Sequence, residues 1–345
     1  MIRSARFLNP SEAARRLGVS AKALRLYEER GLIAPNRTEA GWRAYGPDEM
    51  ARAAEIVALR ALGLSMAQVA RALGGAPQDL EPALAAHQGA LEGWIRQLGE
   101  TIEKVRGLRA DLARGHAPAV GELARLLGPA TRRSVTLELP WPWGGEPFEV
   151  SDTRSLNFIV GPLGSGKTRL AMRLAETLPA AAFVALDRLA DGGAAARARL
   201  AADPALTSRV DQALAWLVGD GATVSEALVA LLVGLESEGP EILVVDMVEQ
   251  ELDHSTQEAL IAHLRQRAGA GGRPLFLTTR SSTILDLAAM RSDEAILLCP
   301  ANHSPPTWVT PCPGAPGYEA VATCLASPAV RARTRGVIAW RPAAG

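Results

Sequence analysis

The chain has 345 residues, 48% of them hydrophobic, which is enough for two domains with cores of their own. Its 37 basic and 37 acidic residues cancel, so net charge alone points neither to a nucleic-acid binder nor to a basic partner. No apolar run reaches membrane-spanning length, residues 1–10 lack a signal-peptide core, and three cysteines make no disulfide framework; a cytoplasmic location without a membrane partner is expected.

The charge is unevenly placed. Residues 1–75 carry 12 basic against 7 acidic side chains, the pattern of a DNA-binding head on a neutral body. Asn9-Pro10-Ser11-Glu12 is a helix start, with a cap, a first-turn proline and a capping-box acid. Ala13, Ala14 and Leu17 then face one side until Gly18. Ser20 is expected to cap a second helix running to about Arg30, with Leu24 and Tyr27 toward the core and Lys22, Arg25 and Arg30 outward. Two short helices at this spacing make a helix-turn-helix, and long cations suit phosphate oxygens or guanine edges. Residues 37–45 follow as a hairpin turning near Ala40-Gly41, a basic and aromatic wing with Arg37, Trp42, Arg43 and Tyr45. Two more helices are expected, from Pro47 to Gly63 and from Ser65 to Gly74.

Ala23-Leu24-Arg25-Leu26-Tyr27-Glu28-Glu29-Arg30-Gly31-Leu32-Ile33 resembles the recognition-helix stretch of the MerR family of transcriptional regulators. Glu39–Tyr45 resembles that family's wing, with Trp42 where Tyr is usual, and Leu59–Met66 its third-to-fourth helix junction. The resemblance covers residues 7–75 in unbroken order. It implies that Arg25, Tyr27, Arg37, Arg43 and Tyr45 contact the DNA backbone, that Lys22 lies near base edges, and that a dimer binds a palindromic operator. It also implies distortion of promoter DNA for RNA polymerase.

From Leu80 to Leu112 apolar residues keep a seven-residue beat. Leu84, Leu91, Leu98, Val105 and Leu112 fall on one position; Leu80, His87, Trp94, Thr101 and Leu108 fall on its complement. Sustained over four heptads, this predicts a coiled-coil seam. The resemblance implies that this helix pairs antiparallel with its twin to form a homodimer. His87 is read as a tolerated partner in that interface. Family metal sensors use cysteines around this helix, and here none precedes Cys299, so metal sensing by the head is not expected.

Only three of the 37 basic residues are lysines, Lys22, Lys104 and Lys167. Lys167 stands in Gly161-Pro162-Leu163-Gly164-Ser165-Gly166-Lys167-Thr168, after a buried-strand pattern (Leu156–Val160) and before an amphipathic helix to Leu178. This is the G-x-x-x-x-G-K-[ST] phosphate loop in its strand–loop–helix context. Backbone N–H groups of Gly161, Gly164, Ser165 and Gly166 close around phosphate, Lys167 supplies charge to the β/γ-phosphates, and Thr168 offers its hydroxyl to Mg²⁺. A second apolar strand, Glu241–Val245, ends in Asp246, the place of a metal-binding carboxylate.

Strand, Asp246, the spaced Leu252-Asp253 and Thr278-Thr279-Arg280 resemble the ABC-type ATPases and their RecF-like relatives over about residues 135–300. The cofactors implied are ATP and Mg²⁺. Met247 replaces the family's catalytic Glu, with Glu249 and Glu251 as weak substitutes. The signature loop is reduced to Val224-Ser225-Glu226-Ala227-Leu228, and Asp187-Arg188 lies near the place of a Q-loop. ATP binding is therefore expected, with hydrolysis slow or absent. Cys299, His303, Cys312 and Cys324 are the residues that zinc would need, but no paired C-x-x-C spacing supports a site, and the cysteines are read as buried free thiols.

The expected architecture is multidomain: an α-rich winged helix-turn-helix head (1–76), a coiled-coil dimerisation helix (77–116), a linker (117–134) and an α/β P-loop domain of ABC type (135–345). The expected function is a MerR-type regulator whose DNA binding is modulated by ATP. The alternative is a DNA-targeted ATPase, a motor or remodeller that uses the head only for recruitment.

Overall fold

The computed structural model describes residues 7–19, 21–38, 41–114, 135–150, 153–269, 272–291 and 293–326. Ser20, the Glu39-Ala40 tip of the wing and the 117–134 linker lie outside the described residues. The chain divides into two compact units. One takes in residues 1–130, 215–221 and 263–272, and the other 131–214, 222–262 and 273–345. The two short segments from the second half of the chain that join the first unit were not expected from the sequence.

In the first unit, α1 (Pro10–Leu17) begins on Asn9, whose side chain accepts from the Glu12 amide while Glu12 caps back, and ends on Gly18 in the left-handed conformation. Helix α2 (Ala21–Glu29) follows, then strands β1 (Asn36–Arg37) and β2 (Arg43–Ala44) paired antiparallel. Helices α3 (Pro47–Ala61) and α4 (Met66–Leu73) complete the head, α4 starting on a Ser65/Gln68 capping box. Ala13, Leu24, Tyr27, Tyr45, Ile56, Leu64 and Val69 form the core. Helix α5 (Leu80–Ala113) runs for 34 residues, about 51 Å at 1.5 Å per residue. On it Leu84, Leu91, Val105 and Leu112 of the heptad row are exposed, as are Ile95 and Ile102 on the neighbouring row. The side chains of Trp94, Leu98 and Thr101 lie outside the described set.

The second unit is built on a six-stranded sheet of order β10-β9-β5-β8-β7-β6. Its strands are β5 (Leu156–Val160), β6 (Ala181–Val184), β7 (Ile242–Val245), β8 (Leu275–Thr278), β9 (Glu294–Leu298) and β10 (Thr307–Val309). All neighbours are parallel except β10, which runs antiparallel to β9. Strands β5 and β8 are buried along their whole length, as parallel strands covered on both faces must be. A separate hairpin, β3 (Val135–Glu138) with β4 (Pro147–Val150), packs Leu137, Phe148 and Val150 into the same core as Leu170 and Leu174 of α6 (Lys167–Thr177). Helices α7 (Ala194–Ala202), α8 (Pro204–Gly219), α9 (Glu226–Leu235), α10 (His254–Gly269) and α11 (Tyr318–Cys324) follow in chain order, the C-terminal ends of α8 and α10 being counted with the first unit. Among the described residues no helix is long and apolar enough to cross a membrane.

Candidate DNA-binding surface and phosphate site

On the head, Arg25 and Arg30 are exposed at the surface of α2 and just beyond it, and Trp42 of the wing is 75% exposed. Arg37 and Arg43 of the wing both reach Glu28 of α2: Arg37 pairs with it at 3.6 Å, and the Arg43 Nε–H donates to its carboxylate. This acid ties wing to helix and offsets part of their positive charge. Heptad spacing and wing composition gave no sign of it. The side chain of Lys22 lies outside the described set.

Two expected contacts require correction. Tyr27 and Tyr45 are 5% and 1% exposed, as parts of the head's core. Burial is the main cause that raises both phenols above their ordinary value of 10. Their rings pack the helix-turn-helix and the wing together instead of lying out on the phosphate backbone. The amphipathic reading of α2, which placed Tyr27 inward, holds for that residue.

The Gly161–Gly166 loop links β5 to α6 at the C-terminal ends of the parallel strands. A Cβ on Gly161 would run into the Cys299 carbonyl and the Ser165 hydroxyl. Gly166 sits at φ +90°, where a Cβ would also meet the Trp143 ring at 2.7 Å. Only glycine lets the backbone close at these two points. Lys167 is buried, and its ammonium donates to the carbonyls of Gly161 and Pro162, both at 2.7 Å. Desolvation pulls its pKa below the usual lysine value, and the like charge of Arg280 adds to the effect. Thr168 is exposed at the start of α6. Just upstream, the exposed Trp141 ring carries the Arg169 guanidinium 5.1 Å from its centroid.

Asp246 stands at the end of β7, with β8 between it and the loop strand β5. The Thr278 hydroxyl donates to Asp246 Oδ1 at 2.6 Å and accepts from the Met247 amide at 2.6 Å. Asp246 Oδ2 and Ser165 Oγ are buried with no hydrogen-bond partner. A buried carboxylate oxygen and hydroxyl left open at the mouth of a phosphate loop are acceptors and donors awaiting a ligand, so the residues present fit a magnesium nucleotide. Arg188 is a half-buried anchor: its guanidinium donates to the carbonyls of Ala185 (3.0 Å), Asp246 (2.9 Å) and Met247 (2.8 Å). Desolvation lowers its pKa.

Met247 adopts φ +44° and brings no proton acceptor to the place after Asp246. Glu249 is buried and accepts from the Arg280 amide at 2.9 Å, which ties it to the segment after β8; Glu251 is exposed. Ser225 caps α9 by accepting from the Leu228 amide, so the signature-like stretch is a helix start. Cys299 is buried beneath the loop, where burial pushes its thiol up to about 12. Cys312 is exposed, and Cys324 is half-buried. The expectation of three buried thiols holds for Cys299 and is corrected for Cys312, which lies past the end of β10 in a turn.

A helix-turn-helix with a two-stranded wing and a long C-terminal helix defines a DNA-binding regulator. The model of the MerR HTH family regulatory proteins matches residues 8–75. A probable heavy metal-dependent transcriptional regulator of Haemophilus influenzae is 35% identical over 106 residues, which is 29% of this chain and 83% of that protein. The chain belongs to the MerR helix-turn-helix family. Among solved structures, HiNmlR, a MerR family regulator lacking the sensor domain and bound to promoter DNA, matches with a TM-score of 0.24 and 19% identity. The match covers 36% of this chain and 98% of that one. An inward-facing putative metal-chelate type ABC transporter matches with a TM-score of 0.36 and 15% identity, covering 52% of this chain and 83% of that one. Scores this low establish no shared fold by themselves.

Proposed function

We propose that this MerR-family protein is a homodimeric, sequence-specific transcriptional regulator whose DNA binding responds to Mg-ATP held in the second unit. The observation that carries the nucleotide reading is the phosphate loop itself: Lys167 buried beneath it, with Ser165 Oγ and Asp246 Oδ2 buried and open beside it. Gly161, Gly164, Ser165, Gly166 and Lys167 hold the phosphates, and Thr168 and Asp246 hold the metal. The bound metal supplies charge that neutralises the β- and γ-phosphate oxygens. Lys167 turns from the two loop carbonyls to phosphate, an exchange favoured because it replaces neutral acceptors with charged ones. With Met247 after Asp246, no side chain there takes a proton from attacking water, so the nucleotide serves as a ligand that biases two states of the regulator.

Arg25, Arg30, Arg37 and Arg43, with Lys22, form the DNA-facing set. The exposed row of Leu84, Leu91, Val105 and Leu112 on α5 receives a second copy of the chain, with the domain order 1–76, 77–116, 117–134 and 135–345. Two heads then read a palindromic operator, in the manner of a promoter-distorting regulator that presents DNA to RNA polymerase.

The test uses a duplex selected from random sequence on wild-type protein. Its affinity is measured without nucleotide, with Mg-ATP and with Mg-ADP, for wild type and Lys167→Ala, alongside phosphate release. The expected result is a change in affinity or bending with ATP, a smaller one with ADP, and none in Lys167→Ala. An unresponsive wild type overturns the sensing role, and rapid DNA-stimulated phosphate release replaces it with that of a DNA-targeted ATPase.

A further inference from the structure

Residues 215–221 belong to the same compact unit as the DNA-binding head, and Asp220 is their anchor. Its side chain is only 2% exposed. Arg60, at the last turn of α3, pairs with both carboxylate oxygens at 2.7 and 3.1 Å. The Met66 amide, first in α4, donates to Oδ1 at 2.7 Å, where the helix dipole also favours a negative charge. The Asp220 main-chain carbonyl accepts from the Arg30 guanidinium at 3.0 Å. One residue thus grips the end of α2, the end of α3 and the start of α4. Trp216 adds a second grip: its Nε1–H donates to the Gly63 carbonyl at 2.8 Å, and Arg60 lies 5.2 Å from its ring centroid.

A buried carboxylate with every partner in place is stable, and one that loses a partner is strongly destabilised. Such a contact is closed or open, with little between. Closed, it holds Arg30 on a carbonyl and away from phosphate. Onward in the chain, Thr223 donates its amide to Thr256 Oγ1 at 2.9 Å, and the Thr256 amide donates to Asp253 of the Leu-Asp loop at 2.7 Å. Ser225 of the signature-like segment comes two residues later. Only two residues therefore lie between Asp220 and Thr223, and four between Asp220 and Ser225.

We propose that Asp220 is a latch that withholds Arg30 from DNA while closed, and that nucleotide acts on the head by opening it. The nucleotide half rests on the sensing role proposed above; the latch itself does not. Asp220→Asn places an amide donor against Arg60 and opens the latch without changing volume. Without nucleotide, this variant is expected to bind the selected duplex at least threefold more tightly and to steepen the salt dependence by about one unit, as one more phosphate contact would. An Asp220→Asn protein with wild-type affinity and slope overturns the latch. If wild type responds to Mg-ATP, the response is expected to shrink at least threefold in Asp220→Asn while Mg-ATP affinity stays within twofold. An undiminished response overturns the coupling, whereas a wild type that never responds overturns only the sensing role. Trp216→Phe, which removes one hydrogen bond and keeps an aromatic ring, is expected to shift affinity and slope in the same direction by less. It serves as the test if Asp220→Asn does not fold, and wild-type values in it then count against the latch.

Discussion

The two candidate sites hold their cations in opposite ways. On the head, Arg37 and Arg43 share Glu28 at a surface where their side chains remain 58% and 32% exposed. In the phosphate loop, Lys167 is buried on two main-chain carbonyls, with Asp246 Oδ2 and Ser165 Oγ left open nearby. A surface pair is exchanged for phosphate at little net change, because water screens it. A buried ammonium has no such substitute, so its ligand site is closer to all-or-none. The head gains affinity by many small additions, and the loop depends on single residues.

Breaking the assembly should have the largest effect. Leu91→Asp places a charge in the exposed apolar row of α5 and is expected to convert a sedimenting dimer to monomer. The avidity of two linked heads would go with it, about 10²- to 10⁴-fold in operator affinity. A wild type that sediments as a monomer at micromolar concentration contradicts this. In the loop, Mg-ATP at about 100 times its Kd should stabilise the second unit by about 2.7 kcal/mol. Lys167→Ala should remove that shift in thermal unfolding, and an equal shift in the variant would falsify the phosphate-loop assignment.

The next effect concerns acid. His263 is buried against the Trp216 ring, 5.1 Å between centroids, and burial lowers its pKa to about 3, with the nearby Arg267 charge adding to the shift. Above the ordinary value of 6.5 the imidazole is neutral folded or unfolded, and its contribution to stability is constant. Below 6.5 the unfolded chain takes up a proton that the folded chain refuses, so stability falls as pH drops toward about 3. The expected slope approaches about 1.4 kcal/mol per pH unit. Denaturant midpoints measured between pH 7 and 4 should show it, and His263→Leu should flatten it. The smallest effect is on the head: Arg25→Ala should weaken DNA binding broadly and lower the salt slope by about one unit. Glu28→Gln should do the reverse by freeing Arg37 and Arg43.

The same contrast governs what could be read from sequence. The strand–loop–helix around Gly161–Thr168 was legible because the motif fixes contiguous residues, and β5, the loop and α6 fall where the motif put them. The caps at Asn9 and Ser65 were legible because capping is local. Helices α7 and α8 were not anticipated. The alanine-rich stretch 194–202 offers little apolar period, and α8, which starts at Pro204, has no marked polar face. The DNA role of Tyr27 and Tyr45 came from the family resemblance, whereas the pattern of α2 already pointed Tyr27 inward; a phenol suits either a core or a phosphate, and packing decides. Glu28 looked like one more surface acid, although it reaches two wing arginines. Asp220 carried no signal at all: its partner Arg60 is 160 residues away.

The cysteines offer a way to watch these events. Cys299 lies buried under the loop with its thiol pushed up to about 12, and burial also raises the half-buried Cys324. Because only the thiolate reacts, a maleimide dye at neutral pH should choose the exposed Cys312 over both. That residue follows β10, whose neighbour β9 pairs directly with the loop strand β5. Among the described residues it is a natural attachment point for a fluorophore reporting on the sheet that carries the proposed nucleotide site, with no engineered cysteine required.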